Sequence, residues 1–195
     1  YATMEPTPEM LKRYGEYYRS PGMQNDHGSW VSQLVDQAQE TGEINTTNFS
    51  LDEELLPYLE ALEGELDLEK FSRGGYAILI SDHYSGWAPG SVGERVCVRG
   101  YRRATEPDGD PIPGPEKELE ILAVADFPYS LGTRSWTLGN ATLVICEKDF
   151  QELYQPEGAL HACLDIREGM EEQAARAIDE WITDRHPALA LTSKE

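Results

Sequence analysis

An acid beside a histidine is the smallest grouping in this sequence of 195 residues that could do chemistry, and it occurs at Asp26-His27 and Asp82-His83. Asp82-His83 directly follows an apolar run, where a strand gives way to a loop and catalytic groups often sit; Asp26-His27 lies in a polar, turn-like stretch. Carboxylate and imidazole together suit general-base work or a divalent cation, provided a third group folds beside them. His161, ahead of another apolar run, is the candidate for that third group. Neighbours along a strand point to opposite faces, so adjacency does not bring two side chains together. The acid groups Glu53-Glu54, Glu116/Glu118/Glu120 and Glu171-Glu172 fall on expected helix or strand surfaces and read as solvated faces. Cys97, Cys146 and Cys163 show neither C-x-x-C nor paired-histidine spacing, so no zinc site is expected. They read as small buried hydrophobes, with one disulfide among the three left open. Gly86-Trp87-Ala88-Pro89-Gly90 is rich in glycine but lacks the lysine and following helix of a phosphate cradle. A nucleophile elbow, a zincin helix and a dinucleotide fingerprint are absent as well. The expectation is therefore a chain with no catalytic, cofactor or metal site. The alternative is a small α+β hydrolase or metal-dependent enzyme built on Asp82, His83 and His161.

Behind these residues stand elements that must position them. A content of 39% hydrophobic and 27% charged residues is that of a chain with a packed core, which argues against disorder. The 36 acidic against 16 basic side chains give a net charge of −20, which disfavours nucleic acid and anionic lipid as partners. A basic peptide would be favoured, although diffuse acidity usually serves solubility. No apolar run reaches the roughly 20 residues of a membrane helix, and no signal-peptide pattern opens the chain. The start at Tyr1 rather than Met points to an excised or processed segment, so a membrane span in a parent protein is compatible with this sequence.

Thr7-Pro8-Glu9 predicts a helix start, with Met10, Leu11, Tyr14, Tyr17 and Tyr18 at helical spacing until Ser20-Pro21-Gly22. The tyrosines read as half-buried aromatics with their hydroxyls at the water edge. A second helix from Ser29 carries Trp30, Val31, Leu34, Val35 and Ala38 on one face and stops at Gly42. Asn45–Asn48 reads as a linker, and its two N-x-[ST] matches are of a kind that arises by chance. Ser50-Leu51-Asp52-Glu53 predicts a capping box for a helix carrying Leu51, Leu55, Leu59 and Leu62, kinked at Pro57 and closed by Gly64. Five strands follow, at Tyr76–Ser81, Glu94–Arg102, Lys117–Ala125, Thr142–Cys146 and His161–Ile166. In the third, Leu119, Ile121 and Ala123 are expected on one face, and Glu118, Glu120 and Leu122 on the other. A last helix, from Gly169 to about Thr183, has Met170, Ala174, Ala177, Ile178 and Trp181 on its apolar side. The long loop of residues 126–140 brings aromatics that could form a contact surface. If the domain has such a surface, Trp87, Phe127, Tyr129 and Trp136 are the residues expected to form it. The expected fold is α+β: a mixed sheet of about five strands with helices on one side. A helical lobe over residues 1–48 would precede an α+β core over 49–195.

The order Glu63-Gly64, Leu68–Phe71, Gly75-Tyr76 before an apolar strand, Gly93-Glu94-x-Val96 and Leu119–Val124 resembles the extracytoplasmic domain of FtsX/MacB-type ABC-transporter permeases. The strand of residues 141–146, the stretch 147–153, the strand 163–166 and the final helix continue the likeness, which spans roughly residues 50–186. The matching residues are packing and turn residues, so their order carries the resemblance. Two departures stand out: Glu94 occupies a place where Asp is commoner, and residues 1–48 read as helical where the family usually has a strand. The resemblance implies a non-catalytic domain at the extracytoplasmic face of the cell membrane, inserted between the first two membrane helices of a permease subunit. It would contact a transported substrate, a peptide, a lipoprotein or a cell-wall enzyme. It would couple that contact mechanically to a separate ATPase subunit or domain through the membrane helices. Such permeases act as pairs, so a dimer is implied in the intact transporter.

Overall fold

The computed structural model describes residues 2–28, 30–51, 53–81, 86–102, 112–126, 140–154, 166–167 and 169–185. The chain forms two compact units, Tyr1–Gly158 and Ala159–Glu195. The first unit opens with β1 (Ala2–Glu5), α1 (Pro8–Tyr18), α2 (Pro21–His27), α3 (Trp30–Thr41) and β2 (Ile44–Ser50). A 3₁₀ helix (Glu53–Tyr58), β3 (Glu60–Gly64), α4 (Leu68–Arg73), β4 (Tyr76–Ile80) and β5 (Arg95–Arg102) follow. It ends with β6 (Ile112–Asp126), β7 (Ala141–Ile145) and α5 (Glu147–Tyr154). The second unit contains α6 (Glu171–Arg185).

The architecture is α+β, with a mixed sheet of seven strands among the described residues rather than about five. The strand order is β3-β6-β4-β7-β2-β1-β5. β2 with β7 and β4 with β6 run parallel, and the other pairs are antiparallel. β6 uses both edges: Glu120 N–H donates to Gly75 O at 3.0 Å, while Ile121 N–H donates to Glu94 O at 2.8 Å on the other side. The β5–β6 pairing therefore closes a circuit through β4, β7, β2 and β1, and β3 is left with β6 as its one neighbour among the described residues.

Three strands come from stretches expected to be otherwise. β1 and the first five residues of β2 lie within residues 1–48, so that stretch contributes to the common sheet, and the expected boundary at 48/49 falls inside β2. The Asn45–Asn48 linker is a strand because β1 and β7 flank it and use its backbone groups, which overrides the weak strand preference of asparagine. The expected helix after Ser50 is a 3₁₀ helix containing Pro57, followed by β3. Ser50 ends β2, and its hydroxyl donates to Glu147 instead of capping a helix. α1 ends at Tyr18, ahead of Ser20-Pro21-Gly22, but Pro21 also opens α2 in place of the expected polar turn, as its fixed φ suits a first helical turn. The fifth expected strand falls almost wholly outside the described residues; Ile166, which is described, is not in a strand.

The sheet is covered by apolar side chains on both faces. Met4, Val96, Val98, Leu119, Ile121, Leu143 and Ile145 pack with Met10, Tyr14 and Tyr18 of α1 and Val31, Val35 and Ala38 of α3. Ile78, Ala123, Ala125 and Val144 pack instead with Leu56, Leu59 and Phe71 from the 3₁₀ helix, its end and α4. Helices thus lie on both faces, not one. The β4–β6 register skips Leu122, and this bulge reverses the alternation of β6. Ala123 joins Ala125 in the second cluster while Val124 crosses to the first, so the expected grouping of Ala123 with Leu119 and Ile121 does not hold. Trp30, expected on the buried face of α3, is 46% exposed.

Taken by itself, α6 has acids in its first turn, and the Gly169 N–H donates to Glu171 Oε1 at 3.0 Å. Hydrogen bonds from the Glu171 and Gly169 amides hold that carboxyl below its usual range. Ala174 and Ile178 are half-buried, whereas Ala177 and Met170 are exposed.

Candidate functional site

Of the four aromatics expected to form a contact surface, Trp87 is described; Phe127, Tyr129 and Trp136 lie outside the described residues, as do Asp82, His83, His161 and Cys163. Trp87 is half-buried and packs on the core. Its ring stacks on Tyr17 with centroids 3.9 Å apart and planes 4° from parallel, and meets Tyr18 edge-on at 5.6 Å. Tyr18 is 4.8 Å from Tyr14, so the tyrosines of α1 and Trp87 form one aromatic row. Burial pushes the Tyr14 phenol up, and the neighbouring Tyr18 adds to it.

Polar contacts fasten the loop carrying Trp87 to α1. The Thr7 hydroxyl caps α1 by accepting from Met10 N–H at 3.1 Å and donates to Glu94 Oε1 at 2.9 Å. Glu94 Oε2 accepts from Ser91 N–H at 2.7 Å and pairs with the Arg13 guanidinium, whose Nε donates to Pro89 O at 3.1 Å. Gly90 is seated so closely that a Cβ there would lie 2.6 Å from Met10 Cε and 2.9 Å from Ile121 Cδ1. Glu94 therefore joins the start of α1, the loop of residues 86–94 and the start of β5. Carboxylate contacts to a guanidinium, a hydroxyl and an amide are strong and directional. The Trp87–Tyr17 contact and the ties from Glu94 to Thr7 and Arg13 could not be read from the sequence, since 70 or more positions separate the partners.

A second polar centre joins β6, α5 and the turn before β4. Asp149 is fully buried; its Oδ1 lies 2.6 Å from Lys117 Nζ and its Oδ2 accepts from Gly75 N–H at 2.6 Å. Lys117 also pairs with Glu152. Burial works to lower the Lys117 ammonium, but the hydrogen bonds and charges of Asp149 and Glu152 outweigh it and hold it above its usual range. Gly74 has φ +83°, and a Cβ there would come within 2.7 Å of Asp149 Oδ1.

The acids of β6 lie on a solvated face and there also pair with cations across the strands. Glu118 and Glu120 meet Arg95 at 2.9 and 3.4 Å, and Glu116 meets Arg99 at 2.6 Å, with Glu43 on the other side of Arg99 at 2.6 Å. Hydrogen bonds to Tyr101 and then Glu116 raise Arg99 above its usual range. Cys97 and Cys146 are free thiols, half-buried in β5 and buried just after β7. Burial raises both. Asp26 and His27 sit in α2, and Asp26 is exposed. Among the described residues no three His, Cys, Asp or Glu side chains group as metal ligands would. A groove of about 530 Å³ along α1 is lined by Leu11, Lys12, Gly15, Glu16, Arg19 and Gln39. No helix of the described residues is long and apolar enough to cross a membrane.

The arrangement is one of clasps and stacked rings. Neither a protein-family model nor a curated protein matches the chain.

Proposed function

We propose that this chain is the extracytoplasmic domain of an FtsX/MacB-type ABC-transporter permease subunit, a non-catalytic module that contacts a substrate or partner protein. On this reading it couples that contact mechanically to ATP-driven motion of the membrane helices. One observation carries the reading: Glu94, in the Gly-Glu pair of the resemblance, acts as a clasp between α1 and the β5 end of the sheet rather than as a reactive group. A displacement delivered at β1 reaches α1 directly and β5 through both the sheet ladder and this clasp. Such stiff, redundant attachment suits a part that must transmit force without deforming. Two further points support the reading. β1 supplies a strand within residues 1–48, where the resemblance leads one to look for it. Gly74-Gly75 turns α4 into β4 with both glycines at positive φ.

The test is the parent reading frame on either side of the segment. One membrane helix before Tyr1 and three after Glu195 are expected. A frame that encodes no membrane helix on either side overturns the proposal.

A further inference from the structure

Among the described residues β3 is the end strand of the sheet, and all five of its residues are exposed. Exposed apolar side chains lie on it and along the adjoining chain: Leu62 at 49% exposure on β3 itself, Tyr58 at 62% just before it and Leu68 at 43% at the start of α4, with Val92 at 38%. Val92 belongs to this patch because its amide donates to Glu63 Oε1 at 3.1 Å and its Cγ2 would lie 2.8 Å from a Cβ on Gly64. Exposed apolar side chains gathered in one place mark contact sites more often than scattered ones do. Glu60, Glu63 and Glu65 run through the patch, with Asp67 and Glu69 just beyond.

We propose that the outer edge of β3 is a docking site for an extended, basic segment of another protein, which adds to the sheet as a further strand. Backbone N–H and C=O groups on an open edge supply the hydrogen bonds of strand addition, and side chains alternating along the added strand supply selectivity. Lysines or arginines at alternate positions would meet the glutamates, and apolar residues between them would cover Leu62 and Tyr58. A second copy of this chain does not fit, since it would set Glu60, Glu63 and Glu65 against the same acids. The glutamates and the bulge at Leu62, between Ala61 and Glu63, are devices that keep an edge from pairing indiscriminately. They exclude neutral and acidic strands and leave a basic one acceptable. A net charge of −20 attracts such a partner from a distance. The inference does not depend on the permease reading, which the reading-frame test addresses separately.

The experiment is fluorescence anisotropy with a labelled Lys-Val-Lys-Val-Lys-Val-Lys peptide. Two comparison peptides accompany it, one with Glu for Lys and one with Pro for the two outer valines, which keeps the charge but removes backbone donors. Saturable binding with a Kd on the order of 100 µM at low salt is expected, weakening as salt rises, with no binding of the Glu peptide. The Pro peptide is expected to bind about tenfold more weakly. The double variant Glu60→Lys, Glu65→Lys, with its fold checked by circular dichroism, should lose about tenfold in affinity for the Lys-Val peptide. Absence of binding overturns the inference. So does equal binding of the Pro peptide, which would reduce the effect to bulk charge, or an undiminished affinity in the double variant.

Discussion

The Trp87 ring lies flat on Tyr17, 3.9 Å between centroids, and this contact joins a loop to a helix 70 positions earlier in the chain. Stacked aromatic pairs contribute about 1 kcal/mol beyond the area they bury. Trp87→Ala should therefore lower stability by roughly 2–3 kcal/mol, counting burial as well. Trp87→Phe should lose about 1 kcal/mol, since a ring remains to stack. Urea midpoints for the three proteins decide it, and equal midpoints would remove the stack from the account of the loop.

Glu94 has side-chain partners on α1 with its cap and on the loop of residues 86–94, so removing its charge should loosen them together. Glu94→Gln is expected to cost about 1–2 kcal/mol, because a neutral amide replaces charge-assisted bonds to Arg13. Hydrogen exchange should rise at Ser91, whose amide donates to Glu94, and at the first turn of α1. Exchange unchanged at both places would contradict the clasp.

Asp149 and Lys117 are a pair in which one member is fully buried. Lys117→Met leaves a buried carboxylate with the Gly75 amide and no cation, and should cost about 3–5 kcal/mol. The double change Lys117→Met, Asp149→Leu should recover part of that loss, as apolar replacements of a buried pair often do. Thermal denaturation of single and double variants measures the difference.

Alkaline pH should unfold the domain earlier than surface charge alone implies. Burial pushes the Tyr154 phenol up to about 12, only partly offset by the hydrogen bond from Asn48, against 10.0 for the free group. A raised phenol favours the neutral form in the folded state. Its contribution is thus fully present below pH 10.0 and lost as pH climbs toward 12. Tyr14 is shifted in the same direction. Urea midpoints at pH 8, 10 and 11 should fall over the last interval, and Tyr154→Phe should flatten that fall.

Gly74→Ala introduces a side chain at φ +83° and 2.7 Å from Asp149 Oδ1. A loss of about 2–3 kcal/mol is expected, from backbone strain and the displaced carboxylate together. Gly93→Ala, with φ +81° but open space around the new methyl, should lose only the backbone part. Comparing the two midpoints separates strain from collision.

Much of this protein is written locally. The β4, β5 and β7 strands fall within a residue of where apolar runs and alternation place them, because residues 76–80, 95–102 and 141–145 carry their burial pattern in their own composition. The start of α1 is equally local: Thr7 caps, Pro8 opens and Glu9 meets the helix dipole. β2 is different. Its polar Asn-Thr-Thr-Asn run becomes a strand only because β1 and β7 present backbone partners on both sides, which no window of sequence contains. The same holds for Pro113 and Pro115, residues that usually break a strand but lie here in β6, in a stretch that among the described residues pairs with β5 alone and can spare backbone donors on its other edge. The bulge at Leu122 likewise arises from the register between β4 and β6, and it redirects every side chain after it. Length, charge, helix caps and the strong strands are thus determined by the sequence itself. Which acids find cations, which tyrosine meets Trp87 and which strand is left with an open edge were decided by tertiary structure, since each depends on partners brought together across tens of residues.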